Sequence, residues 1–275
     1  MPPTKRKKSL ASGRPPTARP VSSSLPSKVT RRIIRTHHTL QKAHAAALSA
    51  GDTATASTLA AQIVAQGGLP AYQRASTVGQ TASRGGDSSR VLVQWVGDMG
   101  VKKEGEGKYR LLEVGCLAVD NACARSGVFE VERIDLRSQH PLIKEEDFME
   151  RPLPRGEGGE GRFHVVSLSL VVNYVPEGGG RGEMLRRVRE FLNPFPALFL
   201  VLPAPCVTNS RYLDQERLEG IMNSLGFVKI REKVSAKLVY YLWRLDGTAD
   251  PKPIAFPKVE VNPGKKRNNF AIVLR

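Results

Sequence analysis

One glycine and two carboxylates are spaced to hold an adenosine ligand. Residues 109–114 form a short apolar run that ends in Glu113 and Val114, and Gly115 follows at once. Asp135 stands twenty residues beyond the glycine, at the end of a second such run over residues 128–135. In an open α/β sheet a ligand sits beyond the carboxyl ends of the strands, where a strand-end acid accepts hydrogen bonds from both ribose hydroxyls. Gly115 lacks a side chain and lets that ligand approach the backbone. The competing account is an ordinary tight turn beside a surface aspartate. A pyrophosphate would need a Gly-x-Gly-x-x-Gly turn, whereas Gly115 stands alone before Cys116, Leu117, Ala118 and Val119. That pattern disfavours NAD and FAD and favours S-adenosylmethionine, which carries no phosphate. Glu113 is expected to orient the cofactor indirectly.

Two further groups point to the same place. Asp147 and Phe148 follow Asp135 by twelve and thirteen residues, where an acid can accept from an adenine amino group and a ring can pack on it. A solvated turn acid is the alternative for Asp147. Residues 163–176 read as a buried strand that delivers Asn173 and Tyr174 beside the reactive methyl. Asn173 would bond a base edge and Tyr174 would stack on the base, as an extruded nucleotide requires. Otherwise Ser167 and Ser169 are plain sheet residues and Asn173 caps a turn. Pro203 and Pro205 stiffen a loop over residues 202–211 that is expected to wall the same pocket. Cys116, Cys123 and Cys206 have no metal-like spacing and read as free thiols. The histidines lack clustered acids or thiols, so no metal is expected.

The elements needed to position these groups alternate. Strands are expected at residues 109–114, 128–135, 163–170, 197–202, 237–245 and 270–274, with helices from Ser89, at 181–192 and at 211–225. Continuous apolar strands alternating with helices mean a mostly parallel sheet covered on both faces. The last two strands follow one another without an obvious helix and are expected to pair antiparallel at the edge. This is the α/β, Rossmann-like methyltransferase arrangement.

Charge divides the chain. Its 275 residues carry +16, yet residues 1–86 hold thirteen Lys or Arg against one acid, Asp52 (+12), and the rest twenty-nine against twenty-five (+4). A basic arm on a near-neutral body suits a polyanion, because each cation near a phosphate releases condensed counterions. Residues 1–27 are rich in Pro, Ser, Lys and Arg and are expected to be a disordered tail, with Lys5-Arg6-Lys7-Lys8 read as a localisation tag. Residues 28–86 are expected to be a helical RNA-binding arm. Its first helix is capped by Thr30, ends at Gly51 and carries Arg31, Arg32, Arg35 and Lys42 for backbone phosphates. A second helix runs over residues 52–66, and residues 79–89 form a hinge before the catalytic domain, 87–275. No apolar run reaches eighteen residues, so neither a membrane span nor a membrane partner is expected. The basic amino terminus is not followed by a leader-like apolar segment.

Several segments taken in order resemble one family, the fungal base methyltransferases that make N(1)-methyladenine in 25S ribosomal RNA. They are residues 28–40 (KVTRRIIRTHHTL), 112–117 (LEVGCL), 134–139 (IDLRSQ) and 147–152 (DFMERP). Residues 167–176 (SLSLVVNYVP), 202–206 (LPAPC) and 209–212 (NSRY) complete the set. The resemblance implies a class I methyltransferase fold, S-adenosylmethionine as cofactor with Gly115 and Asp135 as contacts, and a nucleolar site in the nucleus; separately, a monomer is expected. It also implies 25S ribosomal RNA or a pre-ribosomal particle as partner. It names no catalytic residue. The Asn-Pro-Pro-Tyr tetrad of many amino-directed adenine methyltransferases is absent, and Asn173-Tyr174 stands in for it only in part. A related animal family is similar in body and senses the same cofactor in nutrient signalling, which keeps cofactor binding without methyl transfer as the second reading.

Overall fold

Seven strands form one sheet whose carboxyl edge carries every candidate cofactor residue. The computed structural model describes residues 26–79, 86–100, 107–138, 140–155, 161–246 and 254–275. Residues 1–25, most of the expected tail with its basic tag, and residues 80–85 of the expected hinge lie outside the described residues.

Three helices open the chain: α1 (Ser27–Ser49), α2 (Thr53–Ala65) and α3 (Gly68–Gly79). The remaining elements are α4 (Ser89–Asp98), β1 (Tyr109–Val114), α5 (Ala122–Arg125), β2 (Phe129–Asp135), β3 (Lys144–Glu145), β4 (Phe163–Ser169) and α6 (Gly178–Val188). After a 3-10 turn at Arg189–Phe191 come β5 (Leu192–Pro203), α7 (Pro205–Thr208), α8 (Gln215–Ser224), β6 (Phe227–Val234) and β7 (Leu238–Leu245). The order across the sheet is β3-β2-β1-β4-β5-β7-β6. Strands β1 to β5 run parallel and β7 runs antiparallel to both neighbours. This is the methyltransferase variant of the doubly wound sheet.

Residue parity along each strand sorts the helices to two faces. Leu112, Val166, Leu168, Leu198 and Trp243 pack with Met184, Leu185, Leu218 and Ile221 of α6 and α8. Their neighbours Leu111, Val165, Phe199 and Leu242 pack with Val91, Leu92 and Trp95 of α4.

Four expectations are corrected. The first helix starts earlier, with Pro26 at its cap, and Thr30 is buried within its first turns, its hydroxyl donating to the Pro26 carbonyl (3.2 Å). The arm holds three helices, because Gly67 at φ +88° turns the chain straight into α3 rather than ending it. The antiparallel edge pair exists, but its members are β6 and β7, and β6 lies outside the strands expected from sequence. The apolar run 270–274 is buried without joining the sheet. Gly182 of α6 packs on the Val273 carbonyl, the Val273 amide donates to the Gly178 carbonyl, and among the described residues the run pairs through a single bridge from Phe256 to Leu274.

Candidate active site

The turn after β1 is built around a glycine for a steric reason. Gly115 sits at φ +71°, and a Cβ there would lie 2.7 Å from Cγ2 of Val171. The Gly115 and Cys116 amides both donate to the Ile134 carbonyl of β2 (2.8 and 3.1 Å), so the turn cannot swing away. Glu113 acts on the loop from below. Its oxygens accept from Asn121 Nδ2 (2.7 and 2.8 Å) and from the Cys116 thiol (3.3 Å), while Asn121 Oδ1 caps α5 through the Ala124 amide. Burial pushes the Glu113 carboxyl pKa up, and these donors pull against it. Glu113 thus ties the Gly115 turn to the start of α5.

Asp135 ends β2 at the same edge. Its Oδ1 accepts from the Arg137 amide (2.9 Å) and from Gln73 Nε2 (2.8 Å), and no described residue donates to Oδ2. Burial raises the carboxyl pKa, with the Arg137 and Gln73 bonds opposing. Gln73 belongs to α3, 62 residues away in sequence, and its amide also donates to the Arg137 carbonyl (2.7 Å). Asp147 lines the same space while its Oδ1 caps the Met149 amide (2.7 Å), so it is both the turn acid and a wall residue. Phe148 is buried beside it, with the Arg187 guanidinium over its ring.

These groups enclose a cavity of about 530 Å³, within the usual size of a cofactor pocket. Gly115, Asp135, Asp147 and Phe148 form one side, and Ile34, His37, Gln41 and Tyr72 of the arm form another. The arm thus walls the cavity in addition to presenting charge. Arg31, Arg32 and Arg35 lie exposed on the outer face of α1. Lys42 is also exposed, but partial burial and the charge of Arg181 hold its pKa below the usual lysine range.

The segment after β4 supplies the second wall. β4 stops at Ser169, whose hydroxyl meets that of Ser88 (2.7 Å), and Leu170 adopts φ +60°. A left-handed leucine costs about 1–2 kcal/mol, a strain found mainly at functional sites. Tyr174 lines the cavity and His38 of α1 stacks on its ring at 4.3 Å, with Tyr72 edge-on at 5.0 Å. His38 is held near pKa 4, first by burial and then by Lys42, His37 and Arg181, so its ring is neutral at physiological pH. Asn173 is not among the described cavity walls; its Oδ1 is buried with no hydrogen-bond partner among the described residues. No residue of the loop at 202–211 is among the described cavity walls: Pro205 starts α7 there, and Cys206 lies under the influence of Arg181.

Sequence reasoning missed four residues here: Gln73, Tyr72, His38 and Arg181. Arg181 is buried and donates to the carbonyls of Val175, Pro176 and Ala271, pinning the Tyr174 segment to the carboxyl-terminal strap. No motif signals such a residue, because its partners come from three separate segments. A buried donor shared by two acceptors is costly to remove, about 1–3 kcal/mol. Gln73→Ala is therefore expected to loosen α3 and speed hydrogen exchange over residues 68–79. Unchanged exchange there would show that Gln73 does not anchor the arm.

The site fits an adenosylated sulfonium ligand. A carboxylate oxygen that accepts from no described residue stands at the end of β2, apolar Leu136, Phe148 and Met149 line the wall beside it, and the close Gly115 turn offers no cradle for a pyrophosphate. Among the described residues no group of three metal-ligating side chains occurs.

Comparison with known proteins agrees. The sequence model of one family, "25S rRNA (adenine(2142)-N(1))-methyltransferase, Bmt2", matches residues 57–272. The chain is 44% identical over 216 residues to the 25S rRNA adenine-N(1) methyltransferase of Schizosaccharomyces pombe, covering 74% of this chain and 76% of that protein. It is 40% identical over 243 residues to the 25S rRNA (adenine(2142)-N(1))-methyltransferase of Saccharomyces cerevisiae, covering 86% and 70%. Among solved structures it is similar to an S-adenosylmethionine-dependent methyltransferase from Clostridium acetobutylicum, at TM-score 0.43 and 11% identity over 58% of this chain and 91% of that one.

Proposed function

The chain belongs to the 25S rRNA adenine-N(1)-methyltransferase family, and from that membership we propose that it transfers a methyl group from S-adenosylmethionine to N(1) of an adenine in 25S ribosomal RNA. One observation carries the reading: the family match spans residues 57–272 and so includes Gly115, Gln73, Asp135, Asp147, Asn173 and Tyr174. The bound cofactor supplies an electrophilic methyl on sulfur. Adenine N(1) already holds a lone pair, so no residue need abstract a proton, and the task of the chain is alignment. Holding reactants in near-attack geometry supplies about 7–11 kcal/mol. Asp135 and Asp147 would hold the ribose and adenine of the cofactor. Tyr174, fixed by His38 and Tyr72, would present the target base, whereas Asn173, expected to bond that base, lies outside the described cavity lining. The N(1) edge is normally paired, so the base must first be extruded, at a few kcal/mol. Neutral His38 suits a product that becomes cationic, since a protonated ring would repel it.

The basic tag at residues 5–8 supports nucleolar action on newly made ribosomal RNA, free or in a pre-ribosomal particle. The test is incubation with methyl-labelled cofactor and 25S RNA from a strain lacking the protein, followed by nucleoside analysis. Labelled N(1)-methyladenosine is expected. Tight cofactor binding with no label in RNA would sink the reading and point to a sensor instead.

A further inference from the structure

Charge changes sign along the carboxyl edge of the sheet. At its β2–β3 end, residues 135–150 hold Asp135, Glu145, Glu146, Asp147 and Glu150 against Arg137 and Lys144, and Lys144 is bonded to Glu146 (2.9 Å). At its β7–β6 end, residues 231–237 hold Arg231, Lys233 and Lys237 against Glu232 alone. The three cations are exposed, whereas Glu232 is engaged by Lys229 (2.7 Å) and Gln215 (3.0 Å). Neither Arg231 nor Lys233 joins an ion pair among the described residues.

Topology places this turn at the cavity. Because β7 runs antiparallel, its first residue, Leu238, pairs with Pro203, the last residue of β5. The β6–β7 turn therefore lies at the same edge as Gly115 and Ser169. Lys237 and Leu238 line the cavity, and Lys237 is also exposed, so it stands at the opening. Another wall is α1, whose inner stripe of Ile34, His37 and Gln41 faces the cavity while Arg31, Arg32 and Arg35 face outward. Exposed cations thus stand on two elements that wall the cavity and are far apart in sequence.

We propose that the β6–β7 turn, through Lys233 and Lys237 with Arg231 beside them, is a second phosphate-binding rim for the RNA substrate. An unpaired RNA segment lies across the opening between this rim and α1, its target base pointing into the cavity. The acids at the β2–β3 end repel phosphates and keep that end for the cofactor. From sequence the backbone-phosphate contacts fall on the arm alone; here the arm is half of a clasp. The proposal rests on the RNA methyltransferase reading.

The test uses the full chain and an unmodified 25S RNA transcript, with binding followed by fluorescence anisotropy over a series of KCl concentrations. Each lysine lost from a phosphate contact should lower the slope of log K against log salt by about one. Lys233→Glu with Lys237→Glu is expected to flatten the slope by about two and weaken binding at least tenfold. Arg31→Glu with Arg32→Glu should do the same. Lys108→Glu, at the amino end of β1 on the opposite edge, should change neither. The unfolding midpoint of the double lysine variant should match wild type, which excludes misfolding, and Lys233→Glu alone should keep wild-type calorimetric cofactor affinity. If wild type binds and methylates the transcript while the double lysine variant keeps its slope, the second rim is overturned and the methyltransferase reading stands. If Lys108→Glu weakens binding as much, contact is diffuse and the rim is again overturned. If wild type binds cofactor but neither binds nor methylates RNA, both readings fall together.

Discussion

Gly115→Val is expected to cost about 2–4 kcal/mol of stability and to reduce methylation at least a hundredfold. Two effects add. A β-branched residue at φ +71° is a genuine backbone outlier, costing about 1–2 kcal/mol or more. The new Cβ would also overlap Val171 Cγ2 at 2.7 Å, and the turn has little freedom to yield, since the amides of Gly115 and Cys116 are both bonded to Ile134. Movement of Val171 would disturb the strained Leu170 and the segment that carries Tyr174. For a domain of this size each kcal/mol lowers the unfolding midpoint by about 2–4 °C, so a drop of about 5–15 °C is expected in a thermal melt. Gly115→Ala carries the same backbone strain with less overlap and should remain folded, with weakened cofactor binding by calorimetry. Wild-type affinity in Gly115→Ala would mean that the turn does not shape the cofactor site.

The second large effect belongs to Asp135. Asp135→Ala should weaken S-adenosylmethionine binding about ten- to a hundredfold, because hydrogen bonds to a charged group contribute about 1.5–3 kcal/mol and each 1.4 kcal/mol is a factor of ten. Oδ1 already holds the Arg137 amide and Gln73, and Oδ2 accepts from no described residue. Asp135→Asn keeps the shape and one acceptor, so its loss should be smaller. Burial raises the Asp135 pKa. As pH falls, the carboxylate protonates earlier than an ordinary aspartate, so cofactor affinity should decline at a higher pH than solvent-exposed acids would dictate. A folded Asp135→Ala protein with unchanged calorimetric affinity would remove Asp135 from the site.

The helical arm joins these effects. Gln73 ties α3 to Asp135, and His38 and Tyr72 brace Tyr174, so the element with the densest positive charge also roofs the chemistry. Any ligand that alters the contacts of Asp135 alters the anchorage of the arm. By linkage, RNA held on the arm then changes cofactor affinity by the same factor as cofactor changes RNA affinity.

Much of this site was legible from residues alone. The strand that ends at Val114, the lone Gly115 and the acid at the tip of the next strand are local signals, each readable within a few residues, and β1 begins and ends where its apolar run does. Other elements resisted for physical reasons. Strand β6 lies at the sheet edge and most of its residues are exposed, so FVKIREKV shows charge rather than an apolar run. The run 270–274 has the burial of a strand, yet its backbone groups are satisfied by α6 and by loops, and hydropathy cannot report which partner takes a hydrogen bond. The sequence by itself determined a lone-glycine turn, an acid at the tip of the next strand and a basic arm. Only the tertiary structure decided that the arm closes over that turn, that Gln73 meets Asp135 and His38 meets Tyr174, and that the β6–β7 turn shares their opening. Burial patterns show which face of a helix is hidden, but the surface that hides it is chosen by the packing of the whole chain.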